Sequence, residues 1–387
     1  MNKKKFYQFF QGVKKTVKIS KAELHEPYFN NLETKALTKV IKSTYVSNTG
    51  KKINEFSNSL KKIIKCKYII PVINGTSALD IILKVLKVNS RHEILLPTLS
   101  FVATGNAILY QNASPHFVDS ESSSLGADPK KLEIYLKKIC KITKKGCLNI
   151  KTKKIIKCLI ITHVFGHSAK IKEIKKVCKL FKLILIEDAA EGLGTLYDGI
   201  HVGNFGLLSA LSFNGNKIIT TGGGGAIITN NKKLFELAKH ISSTAKVNHD
   251  YEYIHDQIGY NYRMPNLNAA LGCAQLKKLN TFLKKKRFLF KKYKKNLENI
   301  SFLYLLSESK NTKSNYWLQT VILKENNIKF RNYIIKNFIR RGYKVRPVWK
   351  LLHKLKHFKK FPKMNLSTSI NLEKNIINLP SSPQLIK

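Results

Sequence analysis

The sequence predicts an α/β protein built on a large, doubly wound mixed sheet and completed by a smaller C-terminal α/β domain. Two observations carry the prediction. Short apolar runs bounded by charge recur between residues 68 and 229 and alternate with helical periods, and strand–helix–strand repeats of this kind build sheets covered on both faces. The central run, Leu183–Ile186, is wholly aliphatic, as suits a strand buried on both sides, and two acids, Glu187 and Asp188, stand where it ends. In open α/β sheets, ligands sit beyond the carboxyl ends of the strands. A second apolar stretch, Leu207–Phe213, brings Ser212 and then Lys217 ahead of four glycines, Gly222–Gly225. One acid and one lysine, each placed after a strand and followed by Gly-rich backbone, form an arrangement with a chemical use.

Taken in order, residues 1–20 read as a basic extension with little to pack, and the AELHEPYF segment from Ala22 as an arm. Asn31–Ser43 has helical spacing, with Leu32, Ala36, Leu37, Val40 and Ile41 on one face, and Ile53–Ile64 is a second helix after the turn-rich TYVSNTG. Tyr68–Ile73 is a strand. Asn74-Gly75-Thr76-Ser77 then opens a helix over Ala78–Val88, and a small-residue turn there exposes unpaired N–H groups suited to a phosphate or simply caps the helix. Strands follow at Glu93–Leu96, Pro115–Asp119 and Cys158–Val164. The lysine-rich stretch 130–157 is peripheral, and an amphipathic helix fills KIKEIKKVCKLF. From Lys232 long helices take over, including Lys277–Tyr293, and 301–387 alternates strand and helix signals. The expected division is 1–20 extension, 21–250 large domain and 251–387 small domain.

Composition bounds the function. Hydrophobic content of 43% and 387 residues give room for a sizeable core. The net charge of +47 would suit a polyanion partner, but only seven of the 70 basic residues are Arg, the residue favoured for bidentate phosphate and base contacts. The lysines are spread along the whole chain, so compositional drift is the favoured explanation, and neither a specific nucleic acid nor a membrane is an expected partner. Cys66, Cys140, Cys147, Cys158, Cys178 and Cys273 show no metal spacing and no disulfide framework, which suits a reducing cytoplasm and predicts no metal site. No run of about 18 apolar residues is present to span a bilayer. His163 and His167 have no second acid or metal partner spaced with them, and a structural role is expected.

EDAAEGLG (187–194) followed by SFNGNKIITTGGGGA (212–226) resembles the sugar aminotransferases of the DegT/DnrJ/EryC1/StrS family, enzymes of pyridoxal phosphate (PLP) fold type I, the aspartate aminotransferase-like fold. NYRM (261–264) with the AALG helix is similar to the same family, and the likeness runs from about residue 22 to 383. The resemblance implies that Lys217 carries PLP as a Schiff base and that Asp188 faces the pyridine nitrogen, keeping it protonated so that the ring acts as an electron sink. It implies a phosphate site on Gly75, Thr76 and Ser77 with the Ser212 hydroxyl, and a ring stacked on Phe101. Asn261 would reach across a homodimer to the partner's phosphate. Ser47, Arg346 and Trp349 would line the sugar-nucleotide site. Glu191 is a departure, because many relatives carry Gln at that position near the cofactor ring.

HEPYF, STYVS, LHK and NLPSS resemble the subgroup acting on nucleotide-linked 2-acetamido-2,6-dideoxy-4-keto-hexoses, the precursors of bacillosamine- or legionaminic-acid-type glycans. The expected reaction moves the amino group of glutamate to C4 of such a sugar, carried on UDP in the favoured reading and on GDP in the alternative. Related sugar 3-dehydratases replace the Schiff-base lysine with His, and Lys217 disfavours them. A noncatalytic polyanion-binding regulator that kept the fold would lack the intact set of Asp188, Ser212 and Lys217.

Overall fold

The computed structural model describes residues 2–386. Its first element corrects the expectation for residues 1–20. Helix α1 (Asn2–Val17) buries Phe6, Phe9, Phe10, Val13 and Val17, while its five lysines flank the aromatic residues in sequence, Lys3, Lys4 and Lys5 before Phe6 and Lys14 and Lys15 after Val13. Those apolar residues recur at three- and four-residue intervals and so share one stripe of the helix. The Arg341 guanidinium closes over them, 4.9 Å from the centre of the Phe6 ring and 5.5 Å from that of Phe10. Helix α2 (Asn31–Lys42) starts on a reciprocal cap, in which Asn30 Oδ1 accepts from the Leu32 N–H at 3.0 Å and Glu33 accepts from the Asn30 N–H at 2.8 Å. Helix α3 (Lys51–Ile64) follows.

The winding then begins: β1 (Tyr68–Val72), α4 (Gly75–Val85), β2 (His92–Pro97), α5 (Val102–Tyr110), β3 (Ser114–Val118) and α6 (Pro129–Ile139). Helix α4 starts three residues earlier than its apolar period suggested, because Asn74 caps it through the Ser77 N–H. A hairpin, β4 (Cys140–Thr143) and β5 (Gly146–Asn149), occupies the lysine-rich stretch, and after it come β6 (Ile155–Thr162), α7 (Ile171–Leu180) and β7 (Ile184–Asp188). Two short strands, β8 (Leu196–Tyr197) and β9 (Ile200–His201), precede β10 (Leu208–Ser212) and β11 (Gly225–Thr229).

These strands form a nine-stranded mixed sheet in the order β1-β11-β10-β7-β6-β2-β3, with the β4–β5 hairpin paired onto the start of β6. The run β10-β7-β6-β2-β3 is parallel, whereas β11 pairs antiparallel with both β10 and β1. Ile160, Ile186, Ala210 and Ile227 along its centre are fully buried. Each isoleucine side chain so removed from water contributes about 1.5–3 kcal/mol before the cost of ordering it.

Helices α8 (Lys232–Ser242), α9 (Asn266–Leu276) and α10 (Leu279–Leu297) lead to β12 (Leu303–Leu305), β13 (Thr312–Lys313), β14 (Gln319–Leu323), α11 (Ile328–Arg340), β15 (Arg346–Pro347), α12 (Ser367–Asn375) and β16 (Ile376–Leu379). The second sheet, β12-β14-β16-β15, is antiparallel throughout, and β13 joins β8 and β9 in a three-stranded patch. Two cores meet along α10. Met264, Ala269, Leu276 and Phe282 belong with the large sheet, whereas Leu289, Tyr293 and Leu297 pack with α1, α11 and the second sheet. Among the described residues, no helix is long and apolar enough to cross a membrane, and no group of His, Cys, Asp and Glu is placed to hold a metal ion.

Candidate active site

The carboxyl ends of β6, β7 and β10 open into a cavity of about 330 Å³, within the range of small-molecule sites. Strand register decides what faces it. Thr162 of β6 and Ala210 of β10 both pair with Asp188, the last residue of β7, so the acid is held at the sheet's edge from both sides. Its Oδ2 accepts the Thr104 hydroxyl at 2.6 Å and its Oδ1 the Ala190 N–H at 3.2 Å. Thr104 continues through Ser100 at 3.2 Å to Thr162 at 2.9 Å. The carboxylate therefore has a fixed direction without a basic side chain spent on it.

Facing Asp188 across the cavity wall is the N-terminus of α4. The close approach of β11 to this turn requires glycine: a Cβ on Gly225 would lie 2.4 Å from the Asn74 carbonyl carbon, and one on Gly75 would lie 3.1 Å from Ser212 Cβ. Ser212 thereby stands beside the first turn of α4, where the N–H groups of Gly75 and Thr76 have no acceptor among the described residues. Unpaired N–H groups, the positive end of a helix and a hydroxyl make a site complementary to a phosphate.

Lys217 follows β10 in a loop pinned by its own N–H to the Asn214 carbonyl at 2.9 Å and by the Thr221 N–H to the Phe213 carbonyl at 2.9 Å. Its Nζ lies 3.3 Å from Glu191 Oε1 and 4.2 Å from the centre of the Trp317 ring. Trp317 is in turn fixed by its indole N–H on the Asn216 carbonyl at 2.7 Å. Glu191 Oε2 accepts the Phe165 N–H at 2.8 Å. Burial pushes the Glu191 carboxyl up to about 7, against the pull of the Lys217 ammonium and the Phe165 N–H, and the charge of Asp188 adds to the rise.

Gly75, Thr76, Phe101, Asp188, Glu191, Ser212, Lys217 and Trp349 thus line one cavity. Phe101 is half exposed at its mouth and meets Trp349 edge to face, the ring centres 6.0 Å apart. Four expected residues lie elsewhere. Ser77 is buried within α4 and its N–H is used by Asn74, so its backbone is not free for a ligand. Ser47 is exposed and holds the Asn266 N–H through its carbonyl. Arg346 is exposed on β15, at the edge of the second sheet. Asn261 is exposed and bridges to Ser243, outside the cavity of its own chain.

Trp317 and Thr104 were not found by the sequence reading. Trp317 lies in NYWLQ, 100 residues beyond Lys217, where nothing local marks it. Thr104 shares the ATGN turn with ordinary helix residues. The expected structural role of His163 agrees with its surroundings. Its Nδ1 accepts the Ala169 N–H at 3.2 Å, so Nε2 carries the proton and donates to Glu187 Oε2 at 3.0 Å, both side chains being fully buried. His167 is likewise enclosed, and burial holds it down at about 4.

Comparison with known proteins agrees with this arrangement. Residues 27–387 match the profile of the DegT/DnrJ/EryC1/StrS aminotransferase family. The chain is 33% identical to GDP-perosamine synthase of Escherichia coli O157:H7 over 365 residues, 94% of this chain and 93% of that protein. It is 29% identical to UDP-4-amino-4,6-dideoxy-N-acetyl-beta-L-altrosamine transaminase of Campylobacter jejuni strain 81-176, covering 90% and 89% of the two chains. Among solved structures it resembles Helicobacter pylori PseC, an aminotransferase involved in pseudaminic acid biosynthesis, with a TM-score of 0.83, 25% identity and 93% of each chain covered.

Proposed function

This chain belongs to the DegT/DnrJ/EryC1/StrS aminotransferase family, and from that premise we propose that it moves the amino group of glutamate to C4 of a nucleotide-linked 4-keto-6-deoxy sugar. The protein is a PLP-dependent sugar aminotransferase, with a nucleotide-linked sugar and an amino donor as its substrates. One observation carries the detailed reading. A single cavity joins a lysine amine, a fixed carboxylate and an anion-accepting helix N-terminus, the three functions that PLP requires of its host.

In this reading Gly75, Thr76 and the Ser212 hydroxyl hold the phosphate, and Asp188, oriented by Thr104, keeps the ring nitrogen protonated. Phe101 would cover one face of the ring. When bound, PLP supplies the electron sink through which an amino group passes between two carbon atoms. Lys217 would hold the cofactor, and its amine is the group placed to move a proton in the cavity. Trp317 and Trp349 shield that amine from bulk water.

A homodimer accounts for the position of Asn261, which is exposed and cannot serve its own chain's cavity. In the segment just before it Tyr251, Tyr253 and Ile258 are 80%, 82% and 76% exposed, apolar surface that suits contact with a second copy. Ser47 and Arg346, both exposed, would then meet the sugar-nucleotide from outside the cavity described. The cytoplasm is the compartment that supplies nucleotide-linked sugars and keeps six free thiols reduced.

The subgroup motifs support a UDP-linked 2-acetamido-2,6-dideoxy-4-keto-hexose. The 33% identity to GDP-perosamine synthase supports a GDP-linked sugar instead. The test is spectroscopic and then chemical. Wild type should show a visible absorbance band with PLP that shifts on adding glutamate, and Lys217→Ala should lose that response and more than about 10⁴-fold of the transferase rate. UDP- and GDP-linked 4-keto sugars are then offered in parallel. A wild type that stays colourless with PLP sinks the reading, and amination of one sugar alone decides the nucleotide.

A further inference from the structure

Resting on the aminotransferase reading, we propose that Glu191 is the base that takes the proton from the Lys217 ammonium, leaving Nζ a neutral amine able to bond the cofactor's carbonyl carbon. The step balances without another reactant. One N–H bond of the ammonium breaks, its electron pair stays on Nζ, an O–H bond forms on Oε1, and an ion pair becomes a neutral pair.

The geometry singles out one acceptor. Among the described residues, Glu191 Oε1 at 3.3 Å is the only hydrogen-bond acceptor of Nζ, whose other neighbour is the face of Trp317. Glu191 is held from behind, since its Oε2 is occupied by the Phe165 N–H and its backbone carbonyl by Asn315 Nδ2 at 2.8 Å. Oε1 is therefore left free for the lysine. Both side chains are largely shut from water, at 13% and 5% exposure, which reduces the cost of passing from an ion pair to a neutral pair.

Asp188, the cavity's other acid, is committed to Thr104 and to the Ala190 N–H. The charged groups facing Glu191 are Lys217 and Asp188, and they act on it in opposite directions. Behind Lys217 the arm places His25, which burial and then the nearby charges of Lys286 and Lys217 hold well below its ordinary value, so it brings no competing positive charge. The carboxyl value of about 7 puts the transfer in the neutral range. An amide at 191 would keep the Phe165 contact and fill the same space. What it could not do is accept a proton.

The experiment follows the capture of PLP by cofactor-free protein, read as growth of the visible band rather than as turnover. For wild type the rate should rise with pH through about 7 and then level. Glu191→Gln should capture PLP about 10²-fold more slowly near pH 7 and lose that inflection, and Glu191→Asp should recover part of the rate together with the inflection. Capture by Glu191→Gln at the wild-type rate with the inflection intact overturns the assignment. If Glu191→Gln does not fold, a wild-type rate that is flat across pH 7 overturns it equally. A wild type that never gains the band overturns the aminotransferase reading and this assignment together, so failure of either is told apart.

Discussion

Two buried acids four residues apart, Glu187 and Glu191, solve the problem of burial in opposite ways. Glu187 is surrounded by donors: the N–H groups of Gly203 at 2.8 Å, Phe205 at 2.7 Å and Gly206 at 2.6 Å, the Ser209 hydroxyl at 3.3 Å and His163 Nε2. Burial alone would raise its carboxyl, but the bonds from His163 and the backbone hold it below the ordinary value. Glu191 has one backbone donor and one lysine, and its carboxyl rises. A fully satisfied carboxylate fixes the backbone around it, whereas one left short of donors keeps a proton within easy reach. The first belongs to the scaffold and the second to the chemistry, although both sit in the same eight-residue motif.

The largest expected break in this contrast is Glu187→Ala. It strands the Gly203, Phe205 and Gly206 N–H groups and His163 in a dry interior and should cost about 3–5 kcal/mol, seen as a fall in the denaturant midpoint. Lys217→Ala, for all its effect on activity, should stay within about 1 kcal/mol of wild type in the same measurement. Asp188→Asn comes next. It keeps the hydrogen bond from Thr104 but loses the charge facing the cavity, and transfer activity should fall roughly 10²–10³-fold with the denaturant midpoint little changed.

The smallest effect is a slope. Glu191 keeps its proton in the native state up to about pH 7, whereas in the unfolded chain it loses that proton near its ordinary value of 4.5. The contribution of Glu191 to wild-type stability should therefore decline between those two values and be flat above them. Glu191→Gln lacks this dependence, so its stability relative to wild type should improve by about 1–3 kcal/mol as pH rises across that window. A difference that does not change with pH would show that the two acids are not distinguished by their donors.

Much of the candidate site was legible because its parts are local: Asp188 ends an apolar strand, Lys217 follows the next one and Gly75–Thr76 opens a helix, although the roles proposed for them came from the EDAAEGLG and SFNGNKIITTGGGGA motifs and not from any period. Trp317 and Thr104 were not legible, since each reaches the cavity through tertiary packing from a segment with its own unremarkable pattern. Ser77 stands apart from Gly75 and Thr76 for a related reason: the four small residues of the turn look alike in sequence, and only the folded turn has Asn74 take the Ser77 N–H for its cap. The helical stripe of α1 was present in the letters, but lysine density drew attention to charge instead of spacing.

That first helix carries a consequence for how the protein is made. Its aromatic stripe finds its partners in α10, α11 and the second sheet, which lie about 270 residues or more further along the chain. A ribosome adding about 5–20 residues per second leaves Phe6, Phe9 and Phe10 without their final neighbours for roughly 15–50 seconds. During that interval the stripe is a sticky surface on a nascent chain, held apart from other molecules chiefly by the lysines on either side of its rings. Charge that contributes little to the finished fold guards it while it is unfinished.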